Sequence, residues 1–202
     1  MFIVFEGIDG VGKSTQIELL TGALVELGYD VVSTREPGGT EVGEEIRALL
    51  KSDYSMGIRS ELLLMLASRS QHVDAVIRPG IERGCVVISD RFEASTFAYQ
   101  GYGRGGDLSR LRAINEFATG GLKPDVTFLI DRESSFRATF DEDRFESAGI
   151  EFAKRVREGY LELSREEGWV VIDGDREINT IQGEILEHLR LLGLTNIKEG
   201  KS

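Results

Sequence analysis

Gly7-Ile8-Asp9-Gly10-Val11-Gly12-Lys13-Ser14-Thr15 fits G-x-x-x-x-G-K-[ST] at every fixed position. It stands between an apolar run, Phe2 to Glu6, and a stretch of helical period, Lys13 to Leu27. A phosphate cradle needs these residue types in this order. Glycines let backbone N–H groups turn toward phosphate oxygens, the start of a helix adds partial positive charge, Lys13 adds a point charge, and Ser14 offers a hydroxyl to Mg²⁺. Gly7, Gly10, Val11, Gly12, Lys13, Ser14 and Thr15 are therefore the expected ATP-binding residues.

Outward from the loop, five β-rich runs alternate with longer helical stretches: Phe2 to Glu6, Tyr29 to Thr34, Cys85 to Ser89, Val126 to Ile130 and Trp169 to Ile172. That alternation indicates βαβ units. With the phosphate loop after the first strand, it predicts an α/β, three-layer P-loop NTPase fold: a five-stranded parallel sheet with helices on both faces. In the first helix, Ile17, Leu19, Leu20, Leu24 and Leu27 form the expected apolar stripe, ended by Gly28. From Glu151 to Glu167 the stripe is Phe152, Val156, Tyr160 and Leu163. Leu62 to Leu66 is apolar all round, which predicts a helix lying deep between sheet and neighbours. Two glycine-rich stretches, Pro37 to Thr40 and Gly101 to Gly106, sit where α/β enzymes keep ligand loops.

The chain of 202 residues suits one domain, expected over 1–194, with 195–202 as a frayed polar tail. No apolar run is long enough to predict a membrane span, and the short apolar start lacks the marks of a signal peptide. A single cysteine, Cys85, forms no intrachain disulfide and reads as a small buried hydrophobe, which fits a reducing cytoplasm. The net charge of −11 argues against a nucleic-acid partner. A phosphate ligand would then need a local pocket that opposes the global field.

A phosphate loop does not say what is phosphorylated. A guanine-nucleotide switch is disfavoured because there is no Asn-Lys-x-Asp. After the third strand comes Asp90-Arg91, an acid at a strand end beside an arginine, where a second phosphate site belongs. Asp90 and Ser14 are the expected metal-binding pair. Arg91 can hold an acceptor phosphate with its planar fork.

The phosphate loop, Thr34-Arg35-Glu36-Pro37-Gly38-Gly39-Thr40, Asp90-Arg91-Phe92 with Ser95-Thr96-x-x-Tyr99-Gln100-Gly101, Lys123-Pro124-Asp125 and Asp143-Arg144-Phe145-Glu146 together resemble the thymidylate kinase family, in its order, from about residue 2 to 190. The resemblance implies transfer of the ATP γ-phosphate to dTMP with Mg²⁺ as cofactor, usually in a homodimer. It places Asp9 near the sugar and acceptor phosphate, Arg69 on a thymine carbonyl, Thr96 and Gln100 at the base edge, and Tyr99 against C2′. The loop beginning at Arg35 and Glu36 and including Pro37 would line the acceptor pocket, with Gly38 and Gly39 permitting close backbone approach. Lys13, Arg91, Asp9 and Arg137 form the implied catalytic set.

Two features depart from the family pattern. Met65 stands where a phenylalanine commonly stacks on thymine. The lid, about 132–147, is shorter and keeps fewer arginines, while Gly10 replaces the arginine of the eukaryotic loop. Arg137 aligns best with a lid arginine, and Arg144 or Arg132 are substitutes. A monophosphate is mostly ionised above its second pKa of about 6, so no general base is required. His72 and His188, with no evident carboxylate partner, are expected to be structural. Competing readings are a kinase for another nucleoside monophosphate, a deoxynucleoside kinase using Glu36 as base, and a catalytically weak P-loop nucleotide-binding protein.

Overall fold

Successive side chains of a strand point to opposite faces of its sheet, and along the first strand both faces are apolar. The computed structural model describes residues 1–133 and 147–194. In it Ile3 and Phe5 enter one core and Phe2 and Val4 another. The strands are β1 (Phe2–Glu6), β2 (Val31–Arg35), β3 (Val86–Asp90), β4 (Val126–Asp131) and β5 (Val170–Asp173). All pair in parallel, in the order β2-β3-β1-β4-β5.

Parallel neighbours need crossovers, and helices supply them. They are α1 (Lys13–Glu26), α2 (Glu41–Leu50), α3 (Ile58–His72), α4 (Arg78–Glu82), α5 (Glu93–Thr96), α6 (Leu108–Thr119), α7 (Ser147–Glu167) and α8 (Ile178–Leu191). Residues Val73–Ile77 join α3 to α4 with π-helical pitch, and Phe97–Gly103 extend α5 in the same way. On one face α1 and α8 pack Leu20, Leu24, Ile185 and Leu189 against Phe5, Ile88, Phe128 and Ile172. On the other, Phe97, Leu111, Val156 and Leu163 cover Leu129. Each fully buried side chain of this kind contributes roughly 1.5–3 kcal/mol. The expected three-layer architecture is present. Among the described residues no helix is long and apolar enough to cross a membrane.

Several local expectations are corrected. Strand β2 starts at Val31, not Tyr29, because the Tyr29 N–H donates to the Leu24 carbonyl and closes α1. Of the α1 stripe, Ile17, Leu20 and Leu24 are buried, but Leu19 and Leu27 are exposed, being rotated off the sheet-facing side. Helix α3 does not lie deep. Of Leu62 to Leu66 only Leu66 is buried and Leu63 is 63% exposed, because α3 packs between α2 and α6 with its outer face uncovered. Gly101 and Gly103 are a packing device, since a Cβ there would strike Leu108 and Phe152. Residues 101–106 line neither of the two cavities described below.

The connections from β1 and β3 leave in opposite directions, which opens a crevice at the strand C-terminal ends. The register aligns Phe5 and Arg35 with Asp90 there.

Candidate active site

The loop after β1 must pass close to β4. Gly7 has φ 139°, and a Cβ on it would stand 2.5 Å from the Ile130 carbonyl oxygen. Only glycine fits both restraints. The turn brings the buried Lys13 back over the loop, where its Nζ donates to the Gly7 carbonyl at 3.0 Å and the Ile8 carbonyl at 2.9 Å. Burial, and then the Arg91 charge, lower the Lys13 pKa to about 8. Ser14 Oγ donates to Asp90 Oδ2 at 3.2 Å. Asp90 Oδ1 is buried and accepts no hydrogen bond among the described residues. An orphaned carboxylate oxygen beside a hydroxyl is what a hard cation requires. Among the described residues no group of three or more His, Cys, Asp or Glu forms a protein cage, so a Mg²⁺ here would also need phosphate and water oxygens.

Beside it stands Arg91, the one non-glycine residue with positive φ (75°) among the described residues. Its N–H donates to the Phe5 carbonyl at 2.9 Å, and its carbonyl accepts from Ser89 Oγ at 2.8 Å. Its Nη1 donates to Ser95 Oγ (3.0 Å) and Tyr160 Oη (2.9 Å), its Nη2 to Asp9 Oδ1 (2.8 Å) and Tyr99 Oη (3.3 Å). Behind this fork lies Glu6, fully buried. It accepts from the Phe92 N–H, from the Ser95 N–H and Oγ, and from Tyr160 Oη. Burial raises the Glu6 pKa. Glu6 thus orients the two hydroxyls that orient Arg91.

Two cavities meet at Arg91. The smaller, about 170 Å³, is lined by Asp9, Glu36, Pro37, Met65, Arg69, Arg91, Ser95, Thr96, Tyr99 and Gln100. These include Asp9, Glu36, Pro37, Met65, Arg69, Arg91, Thr96, Tyr99 and Gln100 of the expected acceptor side, with Ser95 added and Arg35, Gly38 and Gly39 absent. The larger, about 670 Å³, is lined by Asp9, Gly10, Gly12, Lys13, Ser14, Thr15, Asp90 and Arg91, with Arg35, Glu36, Pro37, Arg47 and Lys51. Asp9, Glu36, Pro37 and Arg91 belong to both. Five basic side chains against three acids give this pocket the local charge that a chain of net −11 otherwise lacks.

Other expected residues fall differently. Gly7 and Val11 do not line the larger cavity. Gly7 serves through its carbonyl, and Val11 faces the core and a small cavity of about 90 Å³ shared with Gln16, Arg132, Gly174 and Arg176. Arg35 does not line the acceptor cavity, because it pairs with Glu44 at 2.9 Å. The close approach at Gly38 and Gly39 is to protein, since a Cβ would meet Glu44 and then Thr34 and His72. Asp125 accepts from the Phe2 N–H at 2.6 Å and is structural. Arg132 bonds Asp175 at 3.4 Å. Arg137, Arg144 and most of the expected lid lie outside the described residues.

The expectation that His72 lacks a carboxylate partner is overturned. Its Nδ1 is 3.0 Å from Glu36 Oε1 and its Nε2 is 2.7 Å from Thr34 Oγ1, all brought together only when β2 and α3 pack. Glu36 Oε2 accepts from Arg69 Nε at 2.7 Å. Burial works to raise the Glu36 pKa, but Arg69 and His72 outweigh it and the net direction is down. A carboxylate so committed is a poor general base. Arg69 also donates to Thr96 Oγ1 at 2.9 Å, to Asn115 Oδ1 and to the Phe92 carbonyl at 2.9 Å. Arg47, Lys51, Glu6, Tyr160 and Asn115 were missed in the sequence. Their only signals were a carboxylate ending a strand and polar groups on otherwise core-facing helices.

A parallel sheet of this order, with a lysine-bearing phosphate loop and a second cavity sharing an arginine with it, defines a P-loop phosphotransferase acting between two phosphate-bearing ligands. The sequence profile described as thymidylate kinase matches residues 5–185. The chain belongs to the thymidylate kinase family. It is 47% identical over 197 residues to a thymidylate kinase of Exiguobacterium sp., covering 93% of each chain. It is 43% identical over 199 residues to one of Halothermothrix orenii, covering 94% of this chain and 96% of that one. The crystal structure of thymidylate kinase from Ehrlichia chaffeensis matches with a TM-score of 0.81 at 38% identity, covering 94% of this chain and 98% of that chain.

Proposed function

We propose that the chain transfers the γ-phosphoryl group of ATP to the phosphate of dTMP, with ATP in the larger cavity and dTMP in the smaller. The observation that carries this reading is the common wall: Arg91 and Asp9 face both spaces, so two phosphates meet there end to end. An ionised monophosphate needs no base, and the rate then depends on alignment and on charge stabilisation. Lys13 faces the donor phosphates. Arg91 grips the acceptor phosphate by exchanging its Nη2 bonds to Asp9 and Tyr99 for phosphate oxygens, while Ser95 and Tyr160 hold Nη1 in place. Arg47, which donates to the Pro37 carbonyl at 2.7 Å, adds a further cation facing the transfer space.

Ser14 and Asp90 would hold Mg²⁺. When bound, the ion supplies charge that screens the repulsion between the two anions. Arg69, Thr96 and Gln100 meet the base edge, Met65 packs on its ring face, and Tyr99 crowds C2′. Arg137 keeps the role of a lid guanidinium reaching the transferred group. A deoxynucleoside kinase would lack its base, because both Glu36 oxygens are engaged by Arg69 and His72. Family membership along almost the whole chain favours neither a kinase for another nucleoside monophosphate nor a catalytically weak nucleotide-binding protein. A cytoplasmic homodimer suits the one buried cysteine and the exposed apolar side chains of α3 and α6.

ADP release measured over dTMP, dUMP, dCMP, dGMP and dAMP tests the reading, with dTMP expected to be preferred. Arg91→Ala should lower turnover by roughly 10³-fold or more with ATP binding largely kept. Substantial residual turnover would mean that the acceptor phosphate lies elsewhere.

A further inference from the structure

The hydrogen bonds that hold Arg91 run in one direction, and they end on Glu6, a residue that lines neither of the two cavities meeting at Arg91. Glu6 is fully buried at the end of β1. Its Oε1 accepts from the N–H groups of Phe92 (2.9 Å) and Ser95 (3.2 Å), which fastens the start of α5 to β1. Its Oε2 accepts from Ser95 Oγ (2.8 Å) and Tyr160 Oη (2.9 Å). A guanidinium only donates, so the two bonds from Arg91 Nη1 need hydroxyl lone pairs turned toward Arg91 and hydroxyl protons turned away from it. Glu6 Oε2 receives both protons. With Nη1 consumed in this way, the edge that Arg91 presents to Asp9 is Nη2.

We infer that Glu6 is a positioning residue for phosphate capture: by accepting both hydroxyl protons, its carboxylate locks the inner edge of the Arg91 guanidinium and aims the outer edge at the acceptor phosphate. The inference rests on Arg91 as the ligand of that phosphate and deepens that reading. The carboxylate also answers the charge of a guanidinium whose side chain is only 14% exposed. Glutamine has the same shape and the opposite polarity on one side. With its oxygen kept on the two backbone N–H groups, its NH₂ would donate to hydroxyls that already accept from Arg91, and one hydroxyl proton would be left without an acceptor in the cluster. Arg69 is held separately, by Glu36, Thr96, Asn115 and the Phe92 carbonyl. The damage should therefore fall on the phosphate and spare the nucleoside.

The test compares dTMP with thymidine, which has the same base and sugar and no phosphate, by calorimetry on the parent protein and on Glu6→Gln. Affinity for dTMP should fall by at least about tenfold, while affinities for thymidine and ATP stay within about twofold of the parent. Equal losses for dTMP and thymidine would make Glu6 a support of the fold alone, and an unchanged dTMP affinity would mean that Arg91 is aimed without it. Either result overturns the inference. If Glu6→Gln does not fold, Tyr160→Phe takes its place, since it removes one of the two hydroxyls and keeps the ring. The ratio of dTMP to thymidine affinity should then fall by less, and an unchanged ratio overturns the inference. A parent protein that binds dTMP no more tightly than thymidine would sink the assignment of Arg91 to the acceptor phosphate, a different result.

Discussion

Arg91 holds a backbone conformation that costs a non-glycine residue about 1–3 kcal/mol, and such strain persists only where the surroundings over-determine it. Here main-chain bonds to Phe5 and Ser89 hold the backbone while Ser95, Tyr160, Asp9 and Tyr99 hold the fork. The guanidinium is therefore ordered before ligand arrives, which removes an entropic cost from binding. Lys13 is in the opposite condition. Its ammonium is folded onto the loop carbonyls and its pKa is lowered to about 8 from an ordinary 10.5. Triphosphate oxygens would favour the charged form and return the pKa upward. Between these two values, ATP binding must therefore take up protons, about half of one at pH 8 and almost none near pH 6.5. Calorimetry in two buffers of different ionisation enthalpy reads this directly. Proton release at pH 8, or uptake that survives in Lys13→Met, would be the contrary result.

Helix α2 shows how an element is aimed. Its cap is Thr40, whose Oγ1 accepts from the Gly43 N–H at 2.9 Å, and Glu41 and Glu44 stand in its first turn, where acidic charge suits the helix dipole. Glu44 in turn accepts from the Gly39 N–H at 2.9 Å and ties the helix to the loop after β2. Arg47, one turn further on, reaches the Pro37 carbonyl and the larger cavity. Thr40→Ala should cost about 1 kcal/mol in urea unfolding, and Thr40→Ser much less. Equal stability of all three proteins would show that the cap contributes nothing. The cap was not read from the sequence, where Thr40 entered only as the end of the Thr34 to Thr40 string. Nor was Arg47, since an arginine on a helix has the same local signature whether it faces solvent or phosphate.

For the chain as a whole, the uncovered apolar surface matters most. Phe117 on α6 is 91% exposed, and Leu63 on the adjoining α3 is similarly uncovered. Large exposed apolar side chains on neighbouring helices are what an association surface would use. In the proposed homodimer they are covered. The double variant Phe117→Asp, Leu63→Glu should sediment as a monomer with an unchanged far-ultraviolet spectrum. A dimer that persists would place the contact on another face.

The nine-residue phosphate loop, the alternation of five strands with helices, and the Asp90-Arg91 pair were decidable from residue order, because each depends on neighbours within one turn or one strand. Period and spacing carry that information. The network around Glu36 was not decidable in this way. His72, Arg69, Asn115 and Thr96 are 36, 33, 79 and 60 residues away along the chain, and only packing of α3 and α6 against the sheet turns a candidate base into a paired, low-pKa support. The same holds for Glu6 behind Arg91. A carboxylate's role follows from the groups that desolvate and bond it, and those are chosen by the fold.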